Sequence, residues 1–255
     1  MQGLEYRLKS FLPNSTSPAL LVDASAGLSL GVLPGLEDFE NSVRTFLPKV
    51  NGVVCSPGLL HRLTNHSYKV GSLLVRMDWT NTLRGKDFPL PPEKTMHLKI
   101  LDAVDALALG AVGMVTSFLL GYEEAVEASC QLAIVQLSLA GKNLGLPLLA
   151  EVRITGSRVS LPEKAIELGA SYALESGADG IIIPYPGQSS LKRIASMSSI
   201  PWLIKPTSLE KVEQEWEEAG GLGAAGLWFD HTWLGADMPL NKVLATFDKN
   251  VNPED

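Results

Sequence analysis

The sequence predicts an α/β protein folded as a single (β/α)8 barrel, the TIM-barrel architecture, and three observations indicate this fold class. Short apolar segments alternate with longer amphipathic ones from Pro18 almost to the C-terminus, which is typical of βαβ units and a parallel sheet. Eight such apolar segments can be counted, one for each strand of the barrel. The length of 255 residues fits the roughly 250 residues that such a barrel needs. We therefore expect one domain over residues 1–255.

The strands are expected where the apolar runs are continuous, because a parallel sheet is covered on both faces. They are predicted within residues 18–25, 51–57, 71–79, 111–118, 146–155, 178–186, 200–207 and 224–232. The longest helices are predicted over 95–109 and 122–144, where apolar residues recur at helical spacing, and over 162–176, where Pro162 stands early in the first turn. An open doubly wound sheet is the structural alternative, but no GxGxxG motif follows the first predicted strand.

Composition excludes several classes of partner. The net charge is −7 and no run of basic residues occurs, so we expect no nucleic-acid partner. No apolar segment approaches the roughly 18–20 residues that span a bilayer, so we expect no membrane segment. Cys55 and Cys130 form no CxxC pair, which favours a reduced, cytoplasmic setting and gives no zinc motif. No motif indicates a bound metal or another cofactor.

The active site of such a barrel lies at the C-terminal ends of its strands. Several charged residues lie there within otherwise apolar runs, although a buried charge is costly unless it is paired. These candidate residues are Asp23, Arg76, Asp78, Glu151, Arg153, Lys205 and Asp230, and Tyr185 and His231 are further polar candidates at strand ends. Because side chains alternate along a strand, about half of such residues can point into the barrel mouth. Each can instead cap a helix or pair with a neighbour.

Lys205 is the most informative candidate, because it lies inside the apolar segment Trp202-Leu203-Ile204-Lys205-Pro206. A lysine that is desolvated in a barrel mouth can attack a carbonyl group as the free amine. The alternative is a lysine that is paired with Asp230 or Glu151 and stabilises the rim of the barrel. The sequence leaves both interpretations open.

The order of several segments resembles the class I aldolase superfamily, which includes the archaeal-type fructose-bisphosphate aldolases and the deoxyribose-phosphate aldolases. The resemblance runs from about Leu20 to Phe247. The segments that carry it are Leu20-Leu21-Val22-Asp23, residues 108–115 followed by Gly121-Tyr122-Glu123-Glu124, residues 145–151, Gly177-Ala178-Asp179 followed by Tyr185-Pro186-Gly187, and residues 223–227. The resemblance implies a (β/α)8 barrel, a lyase acting on a carbonyl substrate, and assembly into a homo-oligomer.

The sequence departs from that family at most of its functional positions. The strand-six lysine that forms a Schiff base in the family is replaced by Ile182, and the family's strand-five tyrosine by Arg153. The phosphate-binding glycines after strand seven are replaced by Lys205-Pro206-Thr207, and proline removes a backbone donor that phosphate would need. Phe229-Asp230-His231 replaces the turn after strand eight. Asp23 is the family position that is retained.

Three hypotheses about function follow. In the first, the chain is an aldolase-like lyase that acts on a small carbonyl compound through a Schiff base on the displaced Lys205. Asp23 or Glu151 is then the general acid or base, Tyr185 assists proton transfer, and Arg76 or Arg153 holds an anionic group, with Asp78, Asp230 and His231 also contacting the substrate.

In the second hypothesis, the chain is a metal-assisted lyase or isomerase. The oxygen and nitrogen ligands of Mg²⁺, Mn²⁺ or Zn²⁺ would come from Asp23, Asp78, Glu151, Asp230 and His231. In the third, it is a non-catalytic barrel that binds a ligand.

Overall fold

The computed structural model describes residues 2–13, 17–33, 37–64, 71–234 and 239–248. Eight parallel strands close into a barrel in the order β1-β10-β9-β8-β7-β6-β3-β2. These strands are β1 (Ala19–Asp23), β2 (Gly52–Cys55), β3 (Ser72–Arg76), β6 (Gly113–Leu119), β7 (Leu148–Arg153), β8 (Gly180–Pro184), β9 (Trp202–Lys205) and β10 (Gly226–Phe229). Seven of them lie wholly within a predicted apolar segment, and β6 extends one residue beyond residues 111–118. The predicted fold class is therefore confirmed.

Helices surround the barrel and connect its strands. They are α1 (Gln2–Phe11), α2 (Gly27–Leu30), α3 (Phe39–Phe46), α4 (Pro57–Thr64), α5 (Ala103–Ala108), α6 (Glu124–Leu144), α7 (Pro162–Glu175), α8 (Gln188–Met197), α9 (Val212–Gly220) and α10 (Pro239–Asp248). The long helix α6 ends at Gly145, whose φ of 65° is the left-handed conformation that glycine adopts readily at a helix end. Among the described helices, none is long and apolar enough to cross a membrane.

The prediction of a helix over residues 95–109 is wrong in its first half. Residues His97–Lys99 form strand β5, which pairs antiparallel with β4 (Asp78–Thr80), and the helix in this region begins only at Ala103. The proline-rich segment 84–94 therefore connects the two strands of a hairpin beyond β3. Strand pairing, and not the local helical periodicity, determines the structure here. The pairing places the side chain of His97 in a buried position.

Two apolar cores lie on the two sides of the sheet. The outer core fills the space between strands and helices. The interior core lies inside the barrel and includes Leu21, Leu74, Leu149, Leu203 and Trp228. Helix α1 closes the N-terminal end of the barrel, since its Phe11 is wholly buried in the interior core. A Cβ at Gly113 would lie 3.1 Å from the Phe11 ring, so glycine allows this close approach.

The substitution Phe11→Ala should lower the free energy of unfolding by ~3–5 kcal/mol, because it leaves a cavity at the closed end of the barrel. Urea denaturation followed by circular dichroism measures this difference. Tyr6→Ala, on the same helix, is the matched control, because Tyr6 is 80% exposed and its loss should change the free energy by less than ~0.5 kcal/mol. Equal effects of the two substitutions would contradict this role for α1.

Candidate active site at the barrel mouth

The charged candidates meet at the C-terminal mouth because of the alternation of side chains along each strand. Leu21, Leu74, Leu149, Leu203 and Trp228 point into the barrel. The residues two positions further along the same strands therefore also face the barrel axis, one layer higher, at the mouth. These residues are Asp23, Arg76, Glu151, Lys205 and Asp230, and Asp78 and Arg153 follow Arg76 and Glu151 at the same spacing. We call these seven residues the charged cluster.

Arg76 is the centre of the charged cluster. Its guanidinium Nη2 forms ion pairs with Oδ2 of Asp23 and, at 2.9 Å, with Oε2 of Glu151. Its Nε donates to Oγ of Ser25 and its Nη1 to Oγ of Ser117. Burial opposes the charge, but the nearby carboxylates raise the pKa of Arg76 above its ordinary value. All three nitrogens of this side chain are thus used within the protein.

Glu151 is the carboxylate that joins the cations. It is fully buried, and its Oε2 accepts from Arg153 at 2.8 Å while its Oε1 accepts from Lys205 at 2.7 Å. Burial alone would raise the pKa of Glu151, but Arg153, Lys205 and Arg76 hold it well below the ordinary value. Glu151 therefore remains a carboxylate across the range in which proteins work.

Lys205 lies at the outer edge of the charged cluster, where 17% of its side chain is exposed. Its Nζ is 2.7 Å from Oε1 of Glu151 and 3.5 Å from Oδ2 of Asp230. Asp230 also accepts from the backbone and hydroxyl of Thr232. Burial opposes ionisation of Asp230, but Lys205 and these hydrogen bonds keep its pKa below the ordinary value. Both expected partners of Lys205 are therefore in contact with it.

Arg153 differs from Arg76 in having a donor to spare. Its Nη2 lies 2.8 Å from Oε2 of Glu151 and 3.7 Å from Oδ2 of Asp23. Its Nε is buried without a hydrogen-bond partner among the described residues. Arg153 also lines a small cavity beside the charged cluster, together with Ser25, Ser29 and Ser117.

This cavity has a volume of about 20 Å³, which is room for a water molecule or one small polar group. Leu28 and Leu83 contribute apolar side chains to its wall. The hairpin β4–β5 is fixed beside it, since Nε of Arg84 donates to the carbonyl of Ser29. The cavity is therefore small, with both polar and apolar side chains in its wall.

His97 is a site residue that sequence reasoning missed. Its buried ring places Nε2 3.2 Å from Oδ2 of Asp78, and its Nδ1 lies 3.1 Å from Oγ of Ser129 on α6. Burial opposes ionisation of Asp78, but His97 and Arg76 lower its pKa. No local pattern could have indicated this contact, because it depends on the pairing of β4 with β5.

Tyr185 and His231 are the two candidates that the structure does not bring into the charged cluster. Tyr185 packs against the outer core, and its hydroxyl donates to Glu218 on α9. Burial and the neighbouring Glu218 raise its pKa. The expected role of Tyr185 in proton transfer stays a prediction, and its hydroxyl is directed toward α9. His231 is partly exposed and begins the short 3-10 helix that follows Asp230.

The metal-binding hypothesis finds little support in the carboxylates. Among the described residues, no group of three or more histidine, cysteine or acidic side chains is arranged to hold a metal ion. Oxygens of Asp23 and Glu151 already accept from arginine and lysine side chains. Both cysteines are buried, and burial raises the pKa of Cys130 to about 12. A cation would have to displace existing partners.

Comparison with known proteins identifies the fold. The chain matches no protein-family model and none of the curated proteins. The structure of a Schiff base-forming fructose-1,6-bisphosphate aldolase superposes with a TM-score of 0.75 and 18% identity, covering 98% of this chain and 100% of that one. An archaeal fructose 1,6-bisphosphate aldolase superposes with a TM-score of 0.73 and 17% identity, covering 96% of this chain and 98% of that one. A fructose-bisphosphate aldolase from Slackia heliotrinireducens superposes with a TM-score of 0.74 and 16% identity, covering 98% of this chain and 91% of that one.

These neighbours agree with the resemblance that the sequence indicated, and at such identities the likeness establishes the fold. The chain is a (β/α)8 barrel of the shape that these aldolases share. Ile182 is fully buried in the interior core and is paired with Glu151 and Leu203 in the sheet. Lys205, on the adjacent strand, lies two residues beyond Leu203 toward the mouth.

The substitution Glu151→Gln should lower the free energy of unfolding at pH 7 by ~3–5 kcal/mol, because it leaves buried cations without their shared counter-charge. Urea denaturation measures the loss. Glu93→Gln is the control, since Glu93 is exposed and its replacement should change the free energy by less than ~0.5 kcal/mol.

The same carboxylates should determine the acid sensitivity of the fold. A carboxylate with a lowered folded-state pKa adds stability above its ordinary pKa, and this stability is lost as the pH falls through the folded value. The free energy of unfolding of the wild type should therefore decrease below about pH 4.5, the ordinary pKa of glutamic acid. Denaturation over a pH series should show a shallower decrease for Glu151→Gln, and equal slopes would contradict the assigned role of Glu151.

Proposed function

We propose that the chain is an aldolase-like lyase that acts on a small carbonyl compound, with Lys205 as the amine that forms a Schiff base. One observation carries the proposal: Nζ of Lys205 stands at the catalytic end of the barrel, within 3.5 Å of two carboxylates, with part of its side chain open to solvent. An amine with acid and base groups beside it is the arrangement that carbonyl addition and dehydration need.

The reaction begins when the neutral amine of Lys205 attacks the carbonyl carbon. The carbonyl oxygen takes up one proton that the amine nitrogen releases and a second from a neighbouring acid. Loss of that oxygen as water gives the iminium ion. Removal of a proton from the substrate's β-hydroxyl group then breaks the adjacent carbon–carbon bond. The hydroxyl carbon leaves as a carbonyl compound, the first product, and the electron pair of the broken bond moves into the iminium to give an enamine. Protonation and hydrolysis release the second product and restore Lys205.

Asp230 is the best candidate for the proton transfers. About a quarter of its side chain is exposed (24%), so it can exchange protons with solvent. Asp23 and Glu151, the acid–base candidates from the sequence, are buried and held by arginine side chains. We assign Asp23 and Glu151 to positioning Arg76, Arg153 and Lys205. In this proposal the partly exposed carboxylate of Asp230 transfers protons, and the two buried carboxylates hold the cationic side chains in place.

Arg153 is the candidate for binding an anionic group on the substrate, because its Nε has no hydrogen-bond partner among the described residues while the nitrogens of Arg76 are all in use. Glu151 bridges Arg153 and Lys205 through its two oxygens, so the two cations are close. A 2-oxo acid fits this arrangement, since the carboxylate that Arg153 would bind is attached directly to the carbonyl carbon that Lys205 would attack. We therefore favour a carboxylate over a phosphate.

The loop after β9 supports the choice against phosphate. The backbone N–H of Thr207 donates to Oε2 of Glu215, and the hydroxyl of Thr207 donates to Oε1 of the same side chain. Pro206 contributes no N–H. A buried carboxylate of the protein thus occupies the donors that a phosphate would use in this loop.

A non-catalytic ligand-binding barrel is the second candidate. The observation that favours it is the narrow cavity of about 20 Å³ beside a charged cluster whose members already neutralise one another. A substrate larger than a few atoms would have to displace the side chains around it. Covalent trapping separates the two candidates, because only the first requires a reactive amine.

Borohydride trapping tests the proposed function. The purified chain is incubated with small aldehydes, ketones and 2-oxo acids, with and without phosphate groups, and then reduced. We expect a covalent mass increase that peptide mapping places on Lys205 and that disappears in Lys205→Met. Lys192→Met is the control, since Lys192 is an exposed lysine on α8. Adducts that persist in Lys205→Met, or no adduct with any compound, would count against the lyase.

The substitution Arg153→Lys tests the substrate class. Lysine keeps the charge but loses the planar fork that binds a carboxylate through two hydrogen bonds. The concentration of a 2-oxo acid that gives half-maximal trapping should rise ~10–100-fold, which corresponds to a loss of charged hydrogen bonds. Trapping of a neutral aldehyde should change little. If both compounds are affected equally, Arg153 supports the fold of the mouth and does not select the substrate.

A further inference from the structure

Asp78 contributes an unused hydrogen-bond acceptor to the wall of the small cavity beside the charged cluster. Its side chain lines this cavity and is 1% exposed, and its Oδ1 has no hydrogen-bond partner among the described residues. Nη1 of Arg76 lies 3.8 Å from this oxygen, which is too far for a hydrogen bond. A buried polar atom without a partner is costly, so Oδ1 of Asp78 marks a place where a ligand can donate.

The other oxygen of this carboxylate is fixed by its neighbours. Oδ2 of Asp78 accepts from the backbone N–H of Ser117 on β6 at 3.0 Å, and Nε2 of His97 on β5 lies 3.2 Å from it. His97 is in turn held by α6, since its Nδ1 lies 3.1 Å from Oγ of Ser129. Contacts from β5 and β6 thus orient the carboxylate through Oδ2 and leave Oδ1 for another partner.

The charge around the cavity determines which kind of group can enter it. Burial opposes ionisation of Asp78, but His97 and Arg76 lower its pKa, so it remains a carboxylate at neutral pH and only accepts hydrogen bonds. It therefore repels an anionic group, while Arg76 and Arg153, which line the same cavity, repel a cation. The volume of about 20 Å³ leaves room for one small polar group. A neutral hydroxyl group meets all of these requirements.

We propose that the cavity receives a hydroxyl group that the substrate carries on the carbon atom next to the reacting carbonyl, and that Asp78 is the residue that selects it. The inference rests on the proposed function for the rest of the substrate. It narrows the substrate class from 2-oxo acids to 3-hydroxy-2-oxo acids. Hydroxypyruvate is the smallest compound of this class, and pyruvate is the matched compound without the hydroxyl.

The lining of the cavity determines where on the substrate the hydroxyl group lies. Arg153 and Asp78 both line this one small cavity, so the hydroxyl must be close to the carboxylate that Arg153 binds in the proposed function. Lys205 and Asp230 do not line it. The selected hydroxyl is therefore distinct from the β-hydroxyl, whose proton is removed next to the reacting groups when the carbon–carbon bond breaks.

Two acids without a carbonyl group test the cavity independently of any Schiff base. Glycerate and lactate differ only in the hydroxyl on C3, and isothermal titration calorimetry of the full chain measures the binding of both enantiomers of each. We expect the preferred enantiomer of glycerate to bind ~10–100-fold more tightly than lactate, as one hydrogen bond to a charged group provides. In Asp78→Asn this ratio should approach one. Asp87→Asn, at an exposed carboxylate of the β4–β5 hairpin, is the control and should leave the ratio unchanged.

A second variant fills the cavity without changing any charge. Ala26 lines the cavity and is buried, and its φ of −59° and ψ of −20° are helical values that valine also adopts. Ala26→Val should therefore remove the preference for glycerate while the affinity for lactate stays the same. Circular dichroism melting of both variants shows whether they remain folded.

Borohydride trapping of hydroxypyruvate and pyruvate separates this inference from the proposed function. The concentration that gives half-maximal trapping should be ~10–100-fold lower for hydroxypyruvate. A preference for glycerate without any trapped adduct would support the hydroxyl site and count against the lyase. Equal half-maximal concentrations for the two 2-oxo acids would overturn the hydroxyl site and leave the lyase in place. The inference is also overturned if glycerate binds no better than lactate, or if its preference persists in both Asp78→Asn and Ala26→Val.

Discussion

The ion pairs between Arg76, Asp23 and Glu151 are the interaction on which the mouth of this barrel depends. A carboxylate or guanidinium that is removed from water loses several kcal/mol of solvation, and only close partners of opposite charge offset that loss. The three residues lie on three different strands, β3, β1 and β7. Their contacts form only when the barrel closes, so closure of the sheet and assembly of the charged cluster are one event.

This arrangement separates two roles for charge. The innermost residues, Arg76 and Glu151, have their polar atoms engaged by one another and by neighbouring side chains. Lys205 and Asp230, farther out, are partly exposed, and Nε of Arg153 has no hydrogen-bond partner among the described residues. The outer residues can change partners, as the proposed chemistry with a substrate requires. The inner ion pairs place these groups and keep their orientation.

Ile182 on β8 and Lys205 on β9 face the same barrel axis at different depths. Ile182 contributes to the interior core together with Leu203 and Trp228, and a lysine there would replace apolar contacts. Lys205 faces the same central axis from the next strand, one layer closer to solvent. Strands that converge on one axis allow a functional group to change strands while the reacting centre stays in place.

The sequence by itself determined the fold class and the eight strands, because a sheet covered on both faces needs continuous apolar segments and this pattern is local. It also identified the charged residues of the mouth, since charges within apolar runs are costly and therefore informative. The tertiary structure decided which of them meet. Tyr185 faces the helices and His97 joins Asp78 through the β4–β5 hairpin, where local periodicity favoured a helix. Direction of side chains and strand pairing depend on contacts between distant segments, and no local pattern records these contacts.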